Sequence, residues 1–305
     1  VRVFDGVAND TPSAYLDKAS DWQRNTYTYA DGKYDRYERD FLGYKTVTSV
    51  QHNTAGKNGD AITAADLKNT PVFRKTVQEY SNSHVYDKGL LLKETLLDGS
   101  GKPYVATVNK YDFWRLGDSP DTAIDPLALG RYTERAGATL FPRLIRTDKL
   151  FYEGQGQAGQ SSYSGQGYDA LGNITRYSEG GDHIEPVDAQ IAYSNCSGLY
   201  IVGKPRSITV TANGREMRRR DGDFDCSTGN LDTQRAWIDS SRYADTRFTW
   251  DGYGNLLTLE GPENHQSQRI LLAYRYDAAT NTYPVRVDNI AYGLKTKVSP
   301  EEVVA

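Results

Sequence analysis

The chain has 305 residues, 36 basic against 40 acidic, with a formal net charge of −4. No global positive field is available for nucleic acid or an anionic membrane, and no run approaches the ~20 apolar residues of a membrane span. Only 38% of residues are hydrophobic and mean hydropathy is −0.68, while Tyr supplies 23 residues, Gly 28 and Met 1. A thick doubly wound α/β core would need near-continuous Val/Ile/Leu runs, and none is present. Tyrosine instead suits thin sheets with two partly wet faces, where the ring packs and the hydroxyl finds water. Residue one is Val, without a charged-then-apolar leader, which reads as a mature product or a piece of something longer.

In chain order, the residues before Thr26 carry no clear period, and the alternation Tyr27, Tyr29 then leads into Asp31-Gly-Lys-Tyr-Asp-Arg-Tyr-Glu-Arg-Asp-Phe-Leu-Gly-Tyr44. This predicts a turn and a long strand. Ala61 to Lys68, with Thr63 and Asp66 as capping candidates, fits either a small helix or an ordered loop. Strands are predicted over Val72–Tyr80, Leu90–Leu96, Tyr104–Tyr111 and Leu144–Tyr152, separated by Asp-Gly and Gly-rich breaks. The Gly-, Gln- and Ser-rich stretch 154–167 reads as a flexible loop, dividing the chain into 1–153, 154–167 and 168–305.

The second half carries a repeated instruction. Tyr168-Asp-Ala-Leu-Gly-Asn173 is echoed by Trp250-Asp-Gly-Tyr-Gly-Asn255, each followed by alternating apolar and polar residues. Asp169 and Asp251 can accept backbone N–H bonds, and Gly172 and Gly254 tolerate a positive φ, so each unit spells strand, tight reversal, strand. A decayed third copy keeps Tyr276, Asp277 and Asn281 but has Thr280 in place of the glycine, which predicts a longer or different turn. Between these copies, Asn213-Gly214 is the favoured type I′ pair of a hairpin running from Ser207 to Arg220. Cys196 and Cys226 flank that hairpin, and both a disulfide and two small buried thiols fit the sequence.

Candidate chemistry is sparse. His52, His84, His183 and His265 lie far apart without metal-site spacing and read as surface residues. Asp221-Gly-Asp-Phe-Asp225 has the opening of a calcium loop, but Cys226 stands where the glycine is needed and no Glu closes it. Arg215 and Arg218 to Arg220 face Asp221, Asp223 and Asp225, which reads as an internally balanced strand end. There is no Gly-x-Ser-x-Gly elbow, and Gly154 to Gly159 lacks the Lys-Ser/Thr of a phosphate loop. Neither a metal nor a cofactor is implied.

Four blocks in order carry a resemblance: 31–44, Lys88-Gly-Leu-Leu-Leu-Lys-Glu-Thr95, Arg146-Thr-Asp-Lys-Leu-Phe-Tyr-Glu-Gly154 and Tyr168 to Asn173. Over roughly Tyr27 to Val287 the chain resembles the middle region of RHS/YD-repeat toxins, such as the B component of insecticidal Tc toxin complexes and Salmonella plasmid virulence protein B. The resemblance implies an all-β fold, a long antiparallel β-sheet ribbon forming part of a hollow shell, with at most one short helix. It implies a non-enzymatic role in enclosing the toxic C-terminal segment of an RHS-type C component, within a secreted complex made in the bacterial cytoplasm. Tyr168, Asp169, Gly172, Asn173, Trp250, Asp251, Gly254 and Asn255 would then be turn and wall residues. The propeller segments that such proteins use to meet a pore-forming A component are not recognisable, so that partner would be reached only through other regions. Asp125-Pro-Leu-Ala-Leu-Gly130 has the flavour of the C component's self-cleavage site but reads as a turn. From the residues alone, a secreted or cell-surface module binding glycan or protein, and a β-fold glycan-cleaving enzyme, stay open as alternatives.

Overall fold

A computed structural model of the chain describes residues 2–4, 22–53, 69–115 and 140–290. The described residues are all-β, with seventeen strands and one short 3-10 turn at Ser197–Leu199. They group into two compact units, one reaching Gln166 and including Glu179–Ile184, the other Gly167–Ser178 with the residues from Glu185 on. The first contains β1 (Arg2–Phe4), β2 (Trp22–Asp35), β3 (Asp40–His52), β4 (Val72–Tyr80), β5 (Leu91–Asp98), β6 (Pro103–Arg115), β7 (Leu140–Phe151) and most of β8 (Gln160–Tyr168). After β9 (Ile174–Gly181), the second continues through β10 (Ile184–Cys196), β11 (Ile201–Ala212), β12 (Arg215–Phe224), β13 (Leu231–Trp237), β14 (Tyr243–Trp250), β15 (Leu256–Glu263), β16 (Arg269–Tyr276) and β17 (Pro284–Asn289). Every defined register is antiparallel and joins strands consecutive in the chain.

Several boundaries differ from the sequence reading: β6 runs on to Arg115, past the expected end at Tyr111, and β7 begins at Leu140, not Leu144. Residues 160–167, assigned to a flexible loop, lie in β8, with Phe151 opposite Gln160 and Arg146 opposite Gly165. Small Ser and Gly side chains weaken a strand, but β7 supplies the ladder bonds, and Asp182 Oδ2 accepts the Ser161 N–H at 2.8 Å to fix the start. The connection is therefore confined to the turn between Phe151 and Gln160. β2 begins at Trp22, not Thr26, and Arg2–Phe4 pair with it, Arg2 opposite Arg24. The stretch 61–68, read as a small helix or an ordered loop, and the segment 125–130 lie outside the described residues. Among those described, no helix is long and apolar enough to cross a membrane.

These strands do not bury a conventional core. Among the described residues the buried hydrophobic side chains are Leu42, Ala106, Trp114 and Leu140, all in the first unit. Trp114 is wholly buried beneath the Arg143 guanidinium, 3.7 Å from its ring centre, and Arg143 forks onto Asp112 at 2.6 and 2.7 Å. In the second unit, one sheet face carries linked ion pairs. Arg219 meets Asp221, Arg235 meets Asp223, Arg247 meets Asp245 and Glu260, Arg269 meets Asp245 and Glu263, and Arg286 meets Asp288. An exposed pair contributes at most about 1 kcal/mol. Arg269 and Asp245, at 13% and 15% side-chain exposure, are the better-shielded members. Burial raises the Asp245 carboxyl, and the Arg269 and Arg247 guanidiniums outweigh it, so the group ends below its ordinary value. With so little apolar burial, ladder hydrogen bonds and turns carry much of the specification.

Candidate functional site

In a meander, alternate turns fall on the same sheet edge. One edge of the second unit gathers Asp169–Asn173, the turns after β10 and β12, Asp251–Asn255 and the turn after β16. Asp169 Oδ1 accepts the N–H groups of Leu171 and Asn173, both at 2.9 Å, while Asn173 Nδ2 donates back to Oδ2. Asp251 does the same with Tyr253 and Asn255, both at 2.8 Å, and Asn255 Nδ2 returns to Oδ2 at 3.0 Å. Gly172 and Gly254 both stand at φ +85°, the left-handed position of a three-residue hairpin loop with a glycine bulge. A Cβ added at Gly254 would meet nothing within 4 Å, so the demand there is for backbone conformation and not for space.

Two further copies escaped the sequence reading because no aromatic-Asp pair announces them. Asp98 Oδ1 accepts Ser100 and Lys102 N–H, and Asn264 Oδ1 accepts Gln266 and Gln268 N–H, with Gly101 at φ +89° and Ser267 at +57°. The signal is Asp or Asn, then two free positions, then a residue able to go left-handed. Asp277 opens a longer variant: its carboxylate accepts the N–H groups of Thr280, Thr282 and Tyr283, and Asn281 takes φ +51°. At the opposite edge Asn213 and Gly214, φ +50° and +71°, make the two-residue reversal between β11 and β12.

The aromatic partners of these turns fasten one hairpin to the next. Trp250 Nε1 donates to the Leu231 carbonyl at 2.9 Å, Tyr276 Oη to Leu256 at 3.2 Å and Tyr193 Oη to Ile174 at 2.8 Å. Each acceptor is the first strand residue after a turn, and each donor sits near the end of the following strand. A ring with a polar tip is needed there, which accounts for Trp or Tyr and not Phe. Trp250→Phe is expected to cost about 1 kcal/mol through the unpaired carbonyl, read by urea unfolding. Cys196 and Cys226 are joined in a disulfide, Cα–Cα 5.4 Å, tying the turn after β10 to the turn after β12. Asn255 Nδ2 also donates to the Asn281 carbonyl at 2.7 Å, tying the next pair of turns.

The carboxyls of Asp98, Asp225, Asp239, Asp251 and Asp277 lie below the ordinary carboxylate range for a physical reason. The Lys102 N–H and Ser100 hydroxyl hold Asp98 down; the Ser227 N–H does so for Asp225, the Ser241 N–H and Arg242 for Asp239, and the Tyr283 N–H and Thr280 hydroxyl for Asp277. For Asp251, desolvation raises the carboxyl, and the Asn255 side-chain amide with the turn N–H groups outweighs it. A folded-state value below the unfolded one means a contribution present above about pH 3.9 and lost as pH falls toward the folded value. Thermal midpoints should therefore fall on acidification from about pH 5 to pH 2, and Asp98→Asn should flatten part of that slope. Asn264 shows that an amide oxygen serves the same turn. An unchanged slope in the variant would remove Asp98 from the account.

Little other chemistry is assembled. Among the described residues no three of His, Cys, Asp and Glu could share a metal ion. His52 and His84, expected at the surface, are half-buried: His52 bonds Thr26 Oγ1 at 3.0 Å and the Thr70 carbonyl at 3.2 Å, and His84 stacks on Tyr86. The basic strand is balanced only in part by the acids after it. Asp221 takes Arg219, Asp223 reaches across to Arg235, and Asp225 is occupied by its own turn.

Residues 17–74 match a family model described as the middle/N-terminal region of the insecticide toxin TcdB. The fold is similar to that in the crystal structure of TcdB2-TccC3, with TM-score 0.61 and 10% identity over 88% of this chain. It is also similar to TcdB2-TccC3-Cdc42, with TM-score 0.62 and 10% identity over 88%, and to the Photorhabdus luminescens Tc holotoxin pore, with TM-score 0.54 and 11% identity over 88%. This chain spans about a fifth of those chains, 20%, 19% and 20% respectively. No curated protein matches it. The chain thus resembles the middle region of a Tc toxin B component, and its all-β antiparallel fold is the one such proteins contain.

Proposed function

We propose that this chain is a non-enzymatic wall segment of a toxin-enclosing RHS/YD-repeat shell, acting beside a C-type component whose toxic C-terminal segment the shell contains and helps deliver. The observation that carries the reading is a sheet with two partly polar faces and almost no buried apolar side chains, specified by Asp turns, aromatic fastenings and ion pairs. A wall one sheet thick has that construction, whereas an enzyme groove requires a rigid packed scaffold behind it. Tyr168, Asp169, Gly172, Asn173, Trp250, Asp251, Gly254, Asn255, Tyr276, Asp277, Asn213 and Gly214 act as structural turns in this reading. The pore-forming A component is met only through regions beyond this chain, and the assembled complex works outside the cell that makes it.

The test is co-expression of the full-length protein with its C-type partner, followed by limited proteolysis of the toxic segment. Protection that disappears when this region is deleted supports a wall. Equal digestion with and without it favours a binding module. The exposed rings of Tyr29, Phe41 and Tyr44 are the features that suit such a module, with Tyr44 5.0 Å from Tyr29 and 5.2 Å from Phe41.

A further inference from the structure

Within the second unit, β9, β10 and β11 line a cavity of about 460 Å³, to which Thr175, Gln190, Ser207 and Thr209 contribute polar side chains. Register builds its floor. Gln190 stands opposite Thr209 and Ala192 opposite Ser207, so these four share one sheet face, because strand side chains alternate. On that face β12 places Arg219 opposite Thr209 and Asp221 opposite Ser207. The short side chains of Ala192, Ser207 and Thr209 leave the hollow beside these longer ones.

Elsewhere on the same face, polar side chains are committed to one another. Arg219 bonds Asp221, Asp221 also accepts the Trp237 indole, Thr211 donates to the Asp188 carbonyl, and Thr249 bonds Thr258. The cavity is different. The side chains of Thr175, Gln190, Ser207 and Thr209 make no hydrogen bond among the described residues, and the three hydroxyl-bearing residues are half-buried. Three hydroxyls and one carboxamide, each able to donate and to accept, thus converge on one hollow. The one charged lining residue, Arg176, is neutralised by Asp188 at 2.6 Å, and Ile191 and Ala192 add apolar surface.

We infer that this cavity binds a neutral saccharide, whose hydroxyls bond Thr175, Gln190, Ser207 and Thr209 while its C–H groups meet Ile191 and Ala192. A sugar hydroxyl also donates and accepts, so it matches this lining whichever way the protein hydroxyls turn. A few convergent polar groups over a partly apolar concavity are the general form of a small-molecule site. A phosphate or sulfate group calls for a cation without a carboxylate partner, and Arg176 is held by Asp188. A peptide strand binds through its main chain at a sheet edge, whereas this cavity lies on a face, and β11 is already paired on both sides. The inference goes beyond the wall reading and does not depend on it.

The probe is an array of neutral, sialylated and sulfated glycans presented to the full-length protein, followed by calorimetric titration of the strongest neutral ligand. Retention of neutral glycans is expected, and Ser207→Ala combined with Thr209→Val should weaken the titrated ligand at least about tenfold. Gln190→Ala, at an exposed position, provides a second variant that should also weaken it. Thr233→Val, on the same face but outside the cavity, should leave affinity unchanged. Unchanged melting of the variants confirms an intact fold. Failure to retain any neutral glycan, retention of charged glycans alone, or equal affinity in the wild-type protein and both cavity variants overturns the inference.

Discussion

Trp114→Ala is expected to destabilise the chain by about 3–5 kcal/mol, the largest effect of any single side chain here. Trp114 is the larger of the two fully buried side chains among the described residues, and a sheet with so few buried apolar groups has little capacity to close the resulting cavity. The loss spreads further. Arg143, 5% exposed, would lose the ring beneath its guanidinium while remaining tied to Asp112, so a buried charge would be left against empty space. Trp114→Phe keeps a ring in place and removes an indole N–H that has no partner among the described residues, and should lose far less. Urea unfolding of both variants separates the contributions. A loss below about 1 kcal/mol for the alanine variant would show that the indole is not an anchor.

Reducing the Cys196–Cys226 disulfide should cost about 3–4 kcal/mol, because it closes a loop with a sequence separation of 30 and restricts the unfolded chain accordingly. Cys226 is exposed, so a small thiol reaches the bond without prior unfolding. Oxidised and reduced protein compared in urea give the difference directly, and a Cys196→Ser, Cys226→Ser variant should match the reduced form with or without thiol. Coincident unfolding curves for the oxidised and reduced forms would mean that the two turns are held together by their neighbours and not by the bond.

What the sequence discloses depends on how far apart the cooperating residues lie. Asp169 with Gly172 and Asp251 with Gly254 are local instructions, four residues or fewer in span, and the all-β antiparallel architecture follows from them and from the Tyr-rich alternation of the strands. Residues 160–167 misled because composition alone describes Gln, Gly and Ser as a loop, whereas pairing with β7 decides the conformation. Asp98 and Asn264 lack the aromatic that precedes Asp169 and Asp251, and the turn requires only a carbonyl or carboxyl oxygen three residues before a left-handed backbone, a pattern too short to stand out in sequence. The Trp114–Arg143–Asp112 cluster joins β6 to β7 across 24 intervening residues outside the described structure, and no periodicity in either segment announces it. The role of the aromatic in each repeat was likewise invisible, since Trp250 acts on Leu231 and Tyr276 on Leu256, in the neighbouring hairpin.

Because every defined register joins consecutive strands, assembly needs no long-distance search. From β10 to β17 each hairpin closes only a short loop, so the entropic barrier to adding the next strand stays nearly constant over that stretch, and zippering from an existing edge outpaces collapse to a distant nucleus. A polypeptide emerging from the ribosome can complete one strand pair before its successor is synthesised. Cutting the gene at a turn therefore shortens the product by whole strands, and duplicating a hairpin lengthens it, which gives evolution a ready means of changing size without redesigning what is already built.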